Sequence, residues 1–417
     1  MRTARDAAAD DISKAFAALV ADQRVHRGLA FLERDAARTL EEQKAVTVIP
    51  APPFKERARA QYFLERLAAA GLTDASFDAE GNVIGRRCGS GGPTLVLSAH
   101  IDTVFPEGTD LTITQKDGKL FAPGIRDDSR GLAVVLSVAR AFAETGVRTV
   151  GDVWFVGTVG EEGVGNLRGA RALFRDHAAI DGFISIDGGD MGRIVTGATG
   201  SRRYRVTYKG PGGHSFGAFG TPSAVHAMGR AIARIAELRT PQDPKTTFNV
   251  GRARGGTGAT AIAEEAVMDV DVRSNSADEL DRIAAQVLGL IQQSAQEENQ
   301  RWGCDLLSVA VETIGDRPAG SQTIEMPLVG AAMEALRVLG VRELSFGASS
   351  TDCNIPISLG IPAIALPGGG RSGGNHSLTE WYDPERGHLG PQNAFLTVLA
   401  LAGMDGLTQP QLPRRSA

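Results

Sequence analysis

Between residues 94 and 187 the chain alternates short apolar β-type runs with helical stretches, and no other feature constrains the fold as much. TLVLS (94–98) precedes the helical stretch SRGLAVVLSVARAFAETG (129–146), and VGDVWFVGT (150–158), a second helical segment and GFISID (182–187) follow. This β–α–β order predicts an α/β fold with a mostly parallel sheet flanked by helices. At Gly200 the texture changes: RRYRVTYKG alternates with period two, a Gly-rich loop and the helix PSAVHAMGRAIARIAELR follow, and TFNVGRA and AVMDVDVRS alternate again. With a helix near 277–298 and the run LLSVAVETIG, residues 200–315 read as a self-contained α+β insert. A helix over 324–339, the strand PAIALPG and a last helix then resume the first texture. The chain is therefore expected to hold a discontinuous α/β domain, 1–199 and 316–417, interrupted by a smaller one. At the amino end, residues 11–46 read as helical throughout and 49–71 as a Pro-rich loop followed by a helix, whereas the polar tail after 409 is expected to fray.

Composition excludes several classes. With 44 Lys+Arg against 49 Asp+Glu the net charge is -5, which gives no electrostatic case for nucleic acid or an anionic membrane as partner. Three scattered cysteines (Cys88, Cys304, Cys353) make neither a disulfide framework nor a CxxC metal knot. The amino end, MRTARDAAADDISKAF, puts acids where a signal peptide needs its apolar stretch, and no run of about 18 apolar residues occurs. A cytoplasmic location is the expectation.

In open parallel sheets, functional groups collect just past the carboxyl ends of strands. TLVLS leads to His100 and Asp102, VWFVGTV to Glu161 and Glu162, GFISI to Asp187, and PAIALPGGG to His376, while the turn before the 129–146 helix adds Asp127 and Asp128. Each has an ordinary structural reading: a strand-end His is often hydrogen-bonded scaffold, an Asp before a helix is often an N-cap, and adjacent glutamates are often solvated. Together they read differently. Carboxylates converging on one sheet edge repel unless a counter-charge is present, and with imidazole nearby one or two divalent cations supply it. Nitrogen and oxygen donors without thiolate suit zinc, and also manganese or cobalt. In His100-x-Asp102 the two side chains point the same way along an extended strand, so the acid is placed to hold the far ring nitrogen of a metal-bound histidine.

A competing reading comes from VWFVGTVGEEGVGNLRG, a strand and Gly-rich turn that imitates a dinucleotide-binding fingerprint with Asp187 about 20 residues on. It has one residue too many before the last Gly, and Glu161 and Glu162 stand where a pyrophosphate would bind.

SAHIDTV (98–104), APGIRDDSRG (122–131), TVGEEGVG (158–165), ISIDGG (184–189) and NHSLTEW (375–381) resemble, in order and spacing, the five metal-site motifs of the M20 family of co-catalytic metallopeptidases. GPGGHSFG (210–217), FNVGRARGGT (248–257) and MDVDVRS (268–274) resemble that family's lid or dimerisation domain, so the resemblance spans nearly the whole chain. It implies a zinc-peptidase-like fold in which His100 and Asp187 are terminal ligands of one metal, Glu162 and His376 of the other, and Asp127 bridges them. It makes Glu161 the general acid/base, Asp102 the residue that orients His100, His214 an oxyanion donor acting in the partner subunit of a homodimer, and Arg273 a fork for a substrate carboxylate. Asp187 in place of Glu leans toward the peptidase T and dipeptidase branch. Ser129 departs from the Lys common in the family, and Thr260 and Ala263 from an Asn and a Pro; these departures bear on substrate more than on metal. For Arg273 the residues leave an alternative open, because Asp269 and Asp271 share its strand face and can satisfy it locally. The implied activity is hydrolysis of amide bonds in short peptides. Alternatives are an amidohydrolase, deacylase or deaminase of a small non-peptide substrate on the same metals, or, in another class, an NAD-binding or catalytically dead binding protein.

Overall fold

The computed structural model of the protein describes residues 4–415. Two compact units are present: one runs up to Ala198 and resumes at Ser321, and the other is Thr199–Gly320.

The first unit opens with helices α1 (Ala4–Ala21), α2 (Gln23–Arg34), α3 (Ala36–Thr47) and α4 (Arg57–Ala69). The stretch expected to be helical throughout is thus interrupted at Asp22 and Asp35. Asp22 is an N-cap, its carboxylate accepting from the amides of Arg24 at 2.7 Å and Val25 at 3.4 Å. There follow β1 (Val83–Arg87), β2 (Thr94–His100), α5 (Ser129–Thr145), β3 (Asp152–Thr158), α6 (Arg168–Asp176), β4 (Ile180–Gly188) and β5 (Arg193–Ala198). The second unit contributes β6 (Gly200–Lys209), α7 (Ala224–Ala236), β7 (Thr246–Gly255), β8 (Glu265–Ser274), α8 (Ala277–Trp302) and β9 (Ser308–Arg317). The first unit then ends with α9 (Pro327–Val338), β10 (Ser345–Ser349), α10 (Asn354–Ser358), β11 (Ala363–Pro367) and α11 (Leu389–Ala402).

In the main sheet the strands lie in the order β1-β3-β2-β4-β11-β5, with β10 beside β5. The centre is parallel: β2 pairs with β3 and β4, and β4 with β11. Antiparallel pairs lie toward the sheet margins: Ser76–Phe77 with β1, β1 with β3, and β11 with β5. All seven residues of β2 are buried, as a strand covered on both faces requires. Its alternation sends Leu95, Leu97 and Ala99 into the core with α5 and α11, and Val96 into the core with Leu173 of α6 and Ile355 of α10.

The second unit is a four-stranded antiparallel sheet, β7-β8-β6-β9, with α7 and α8 on one face. Val206, Met268, Val270 and Val272 meet Ala227, Ile283 and Val287, which leaves Asp269, Asp271 and Arg273 on the other face. As far as Arg415 the carboxyl-terminal tail is held rather than frayed; residues 416–417 lie outside the described residues. Leu412 is buried, Arg414 Nε donates to the Gly92 carbonyl at 2.8 Å, and the Arg415 amide donates to Asp181 Oδ1 at 2.7 Å. All three cysteines are free. Among the described residues no helix is long and apolar enough to cross a membrane.

Candidate metal centre

Four strand ends and one helix start deliver the site. β2 ends on His100, the turn after β3 carries Glu161 and Glu162, β4 includes Asp187, and the segment after β11 brings His376. Helix α5 starts beside them because Gly131 allows it: a Cβ there would lie 2.3 Å from both Asp128 Oδ1 and the Ile186 carbonyl. The two aspartates before α5 divide their roles. Asp128 is the N-cap, accepting from Gly131 N at 3.0 Å and from His100 N at 3.1 Å, which leaves Asp127 to face the site.

Asp127 stands between the histidines: its Oδ1 is 2.9 Å from His100 Nε2 and its Oδ2 3.3 Å from His376 Nε2. His376 Nε2 also meets Glu162 Oε1 at 2.9 Å, and it is held at φ 63°, a left-handed backbone that a histidine adopts only where its surroundings enforce it. Ligand atoms of His100, Asp127 and Glu162 all lie within 4.8 Å of one another. Burial and the nearby Asp127 charge push the Asp187 carboxyl up to about 7. Hydrogen bonds to Asp127 and Glu162 push the His376 imidazole up to about 10. His100 is driven upward by Asp102 and Asp127 against the opposing effect of burial. Acids and imidazoles crowded in this way, buried or nearly buried except for the exposed His376, are the donor set a divalent cation satisfies.

Asp102 contacts His100 and also binds elsewhere. The near partner of His100 Nδ1 is the Asp102 carbonyl oxygen at 2.9 Å, whereas the carboxylate Oδ1 is 3.7 Å away. That carboxylate instead accepts from the amides of Glu161 and Glu162, at 2.9 and 2.8 Å. The same two bonds dispose of the dinucleotide reading, because these amides are taken by the protein's own acid and Gly163–Gly165 forms a 3-10 turn ahead of α6.

Two residues escaped sequence reasoning. Arg126 Nη1 lies 3.3 Å from Asp127 Oδ2 and 3.5 Å from Asp187 Oδ1, while its Nη2 donates to the Gly188 carbonyl. Glu380, fully buried, accepts from the amides of Gly124, Arg126 and Asp127 at 3.2, 2.8 and 2.9 Å, and so fixes the loop that carries Asp127. Burial pushes its carboxyl up to about 7. Glu380 sits inside the motif NHSLTEW, but nothing local signals a partner some 250 residues away.

A cavity of about 380 Å³ opens here, and Asp127, Glu161, Glu162, Asp187 and His376 line it. His214 and Arg273 belong to the other unit. His214 is exposed, its Nδ1 accepting from the amides of Phe216 and Gly217 at 3.2 Å each. Arg273 Nε donates to Asp271 Oδ2 at 2.7 Å, the local pairing that the strand alternation had left open.

Known proteins resemble this chain in sequence and in fold. Carboxypeptidase G2 of Pseudomonas sp. is 27% identical over 304 residues, 69% of this chain and 70% of the relative. Succinyl-diaminopimelate desuccinylase of Methylobacillus flagellatus is 27% identical over 237 residues, 52% of this chain and 62% of the relative. Among solved structures, aminopeptidase PepT of Bacillus cereus superposes with a TM-score of 0.72 at 23% identity, covering 87% of this chain and 98% of that one. A tripeptidase of Staphylococcus aureus gives 0.73 at 24% identity, with 87% and 97% covered. Both share the fold. The model of the peptidase family M20/M25/M40 matches residues 96–394, and the chain belongs to that family.

Proposed function

We propose that this M20-family metallohydrolase cleaves amide bonds of short peptides as an aminopeptidase or dipeptidase. One observation carries the reading: a single buried carboxylate, Asp127, lies between two histidines in the cavity that Glu161 also lines. In the proposed assignment His100 and Asp187 hold one divalent ion, Glu162 and His376 a second, and Asp127 both, with zinc the best match to the donors and manganese or cobalt the alternatives. Bound there, such a pair supplies Lewis-acid polarisation and a water acidified toward neutrality. The chain's own residues do the rest. Glu161 takes the proton of the attacking water and passes it to the leaving nitrogen. Asp102, by accepting from both amides, fixes the backbone from which Glu161 and Glu162 project. His214 is proposed as a donor to the developing oxyanion and Arg273 as a fork for a substrate carboxylate, supported by the motif resemblance alone; in Arg273 the fork must first leave Asp271.

The second reading, a deacylase or amidohydrolase of a small substrate, is supported by the desuccinylase and carboxypeptidase among the sequence relatives. A homodimer in the cytoplasm completes the proposal. Metal analysis of protein repleted with zinc, with activity on di- and tripeptides compared with activity on N-acyl amino acids, tests it. We expect close to two ions per chain, loss of activity with chelator, and faster turnover of peptides. Fewer than one ion per chain, or activity indifferent to chelator, overturns the hydrolase reading; preference for N-acyl amino acids transfers it to the deacylase.

A further inference from the structure

We propose that part of the cavity wall is an anion subsite centred on Arg193, and that it makes the enzyme prefer amides carrying a carboxylate on the acyl side of the scissile bond. The inference rests on the hydrolase reading for the identity of the reaction, and on the wall itself for the identity of the substrate.

The wall is unsuited to an apolar group. Among its lining residues Val195 is the one sizeable apolar side chain, whereas Ser349, Ser350, Thr351, Ser372 and Asn375 present hydroxyls and an amide. Two guanidinium groups share it, and they differ in what they are doing. Arg126 is committed: it lies against Asp127 and Asp187 and donates to the Gly188 carbonyl. Arg193 is not. Its hydrogen bond runs from Nη2 to the neutral carbonyl of Ala348 at 3.4 Å, and among the described residues it pairs with no carboxylate.

The fold builds the position of Arg193. It is the first residue of β5, in register with Ser345 of the parallel strand β10, and β10 runs on to Ser349 at the cavity. Gly347, midway along β10, leaves room for the side chain: a Cβ there would lie 3.3 Å from Arg193 Nη2. The guanidinium therefore lies along β10 toward the serines.

Charge decides what the wall recognises. Divalent cations bound on the metal side would offset Asp127, Glu161, Glu162 and Asp187 together with the committed Arg126, which leaves Arg193 as the cation of the remaining wall, with Asp190 as its one acid. Arg193 is exposed at the cavity, makes one side-chain hydrogen bond within the chain, and with serine hydroxyls on the same wall fits a carboxylate by its fork geometry. Glutamyl or aspartyl residues and dicarboxylic acyl groups share that chemistry.

The test compares zinc-loaded wild-type protein with Arg193→Gln and Arg193→Lys on paired substrates: Asp-Ala against Asn-Ala, Glu-Ala against Gln-Ala, and succinyl-alanine against succinamoyl-alanine. The readout is the ratio of kcat/KM, acid over amide. We expect a wild-type ratio of about 10 to 100, from one charge-assisted hydrogen-bonded contact, that collapses toward one in Arg193→Gln and is partly kept in Arg193→Lys. The pair with the largest ratio tells peptide from dicarboxylic acyl group. Calorimetry adds a readout free of turnover: glutarate should bind wild type about tenfold more tightly than glutaramate, and Arg193→Gln equally to both. A wild-type ratio near one, or a ratio that Arg193→Gln leaves unchanged, overturns the subsite while the hydrolase reading stands. Arg193-dependent glutarate binding without turnover of any amide overturns the hydrolase reading and leaves the subsite.

Discussion

Glu161 and Glu162 are neighbours in sequence with unlike surroundings, which makes them each other's control. Both line the cavity, but Glu162 Oε1 is 2.9 Å from His376 Nε2 and Glu162 belongs to the ligand cluster with His100 and Asp127. Glu161→Gln keeps the shape and removes the base, so kcat should fall by about 10² to 10⁴ with metal content unchanged. Glu162→Gln should instead lower bound metal toward one ion per chain, read by metal analysis after dialysis. A Glu161→Gln protein with near-normal rate would refute the assignment. Asp102 permits a second prediction. It accepts both amides in a fully buried site, so Asp102→Ala leaves two N–H groups unpaired and should lower stability by about 2 to 4 kcal/mol in urea titration, with Asp102→Asn losing less because one acceptor oxygen remains. The sequence identified Asp102 from its spacing to His100, yet strand alternation gives a direction and not a distance. The carboxylate is bound by a loop 59 residues on, which no local pattern displays.

Among the elements, the apolar strands and long helices were legible because burial on both faces leaves unbroken hydrophobic runs. Strands β5 and β10 were not. Both RIVTGA and SFGAS are short; SFGAS is rich in Gly, Ser and Ala and owes its conformation to pairing with β5, while the β-branched run of RIVTGA is too brief to stand out and is held between β10 and β11. The breaks at Asp22 and Asp35 were missed for a related reason: an acid inside a helical pattern looks solvated until its partner is seen. Asp35 Oδ2 meets Arg140 Nη2 at 2.6 Å and accepts from Ser137 Oγ at 2.9 Å, while Arg140 Nη1 reaches Glu42 at 3.3 Å, all of it buried. This network ties α2 and α3 to α5, the helix that begins at the metal loop. Arg140→Met strands Asp35 and Glu42 as buried charges and should cost about 3 to 5 kcal/mol, with Asp35→Asn in the same chain recovering part of the loss; equal instability of the single and double variants would show that packing, not charge, is at stake. Gln43 makes the same junction specific. Its Nε2 donates to the Ile125 carbonyl at 2.6 Å, two residues before Asp127, so Gln43→Leu should weaken zinc binding by about 10- to 100-fold, as for other groups that orient ligands, measured by competition with a chromogenic chelator.

For the whole molecule, features of the second unit frame a prediction about how many chains make one active site. The strand β7 is an edge of its sheet, paired only with β8 within this path, and its residues from Gly251 to Gly255 are exposed. Beside His214 in sequence, Phe216 and Phe219 are 88% and 79% exposed, a disposition of large apolar side chains that proteins normally cover. An exposed edge and uncovered aromatic rings in one unit suit a two-fold contact between copies, the commonest oligomer symmetry. The motif resemblance implies that the histidine of this loop would act at the metal centre of a second copy. If so, His214→Ala and Glu161→Gln proteins, each inactive alone, should regain activity when mixed and allowed to exchange subunits, because a heterodimer holds one site with both residues intact. With equal amounts and random pairing, half of all dimers are mixed and each has one of two sites whole, so activity should approach about a quarter of wild type. Sedimentation reads the dimer itself, and Phe216→Ser with Phe219→Ser should shift it toward monomer and lower the mixed activity in step. Exchange demonstrated by labelled subunits with no activity regained would place His214 in its own chain's chemistry or outside the chemistry altogether.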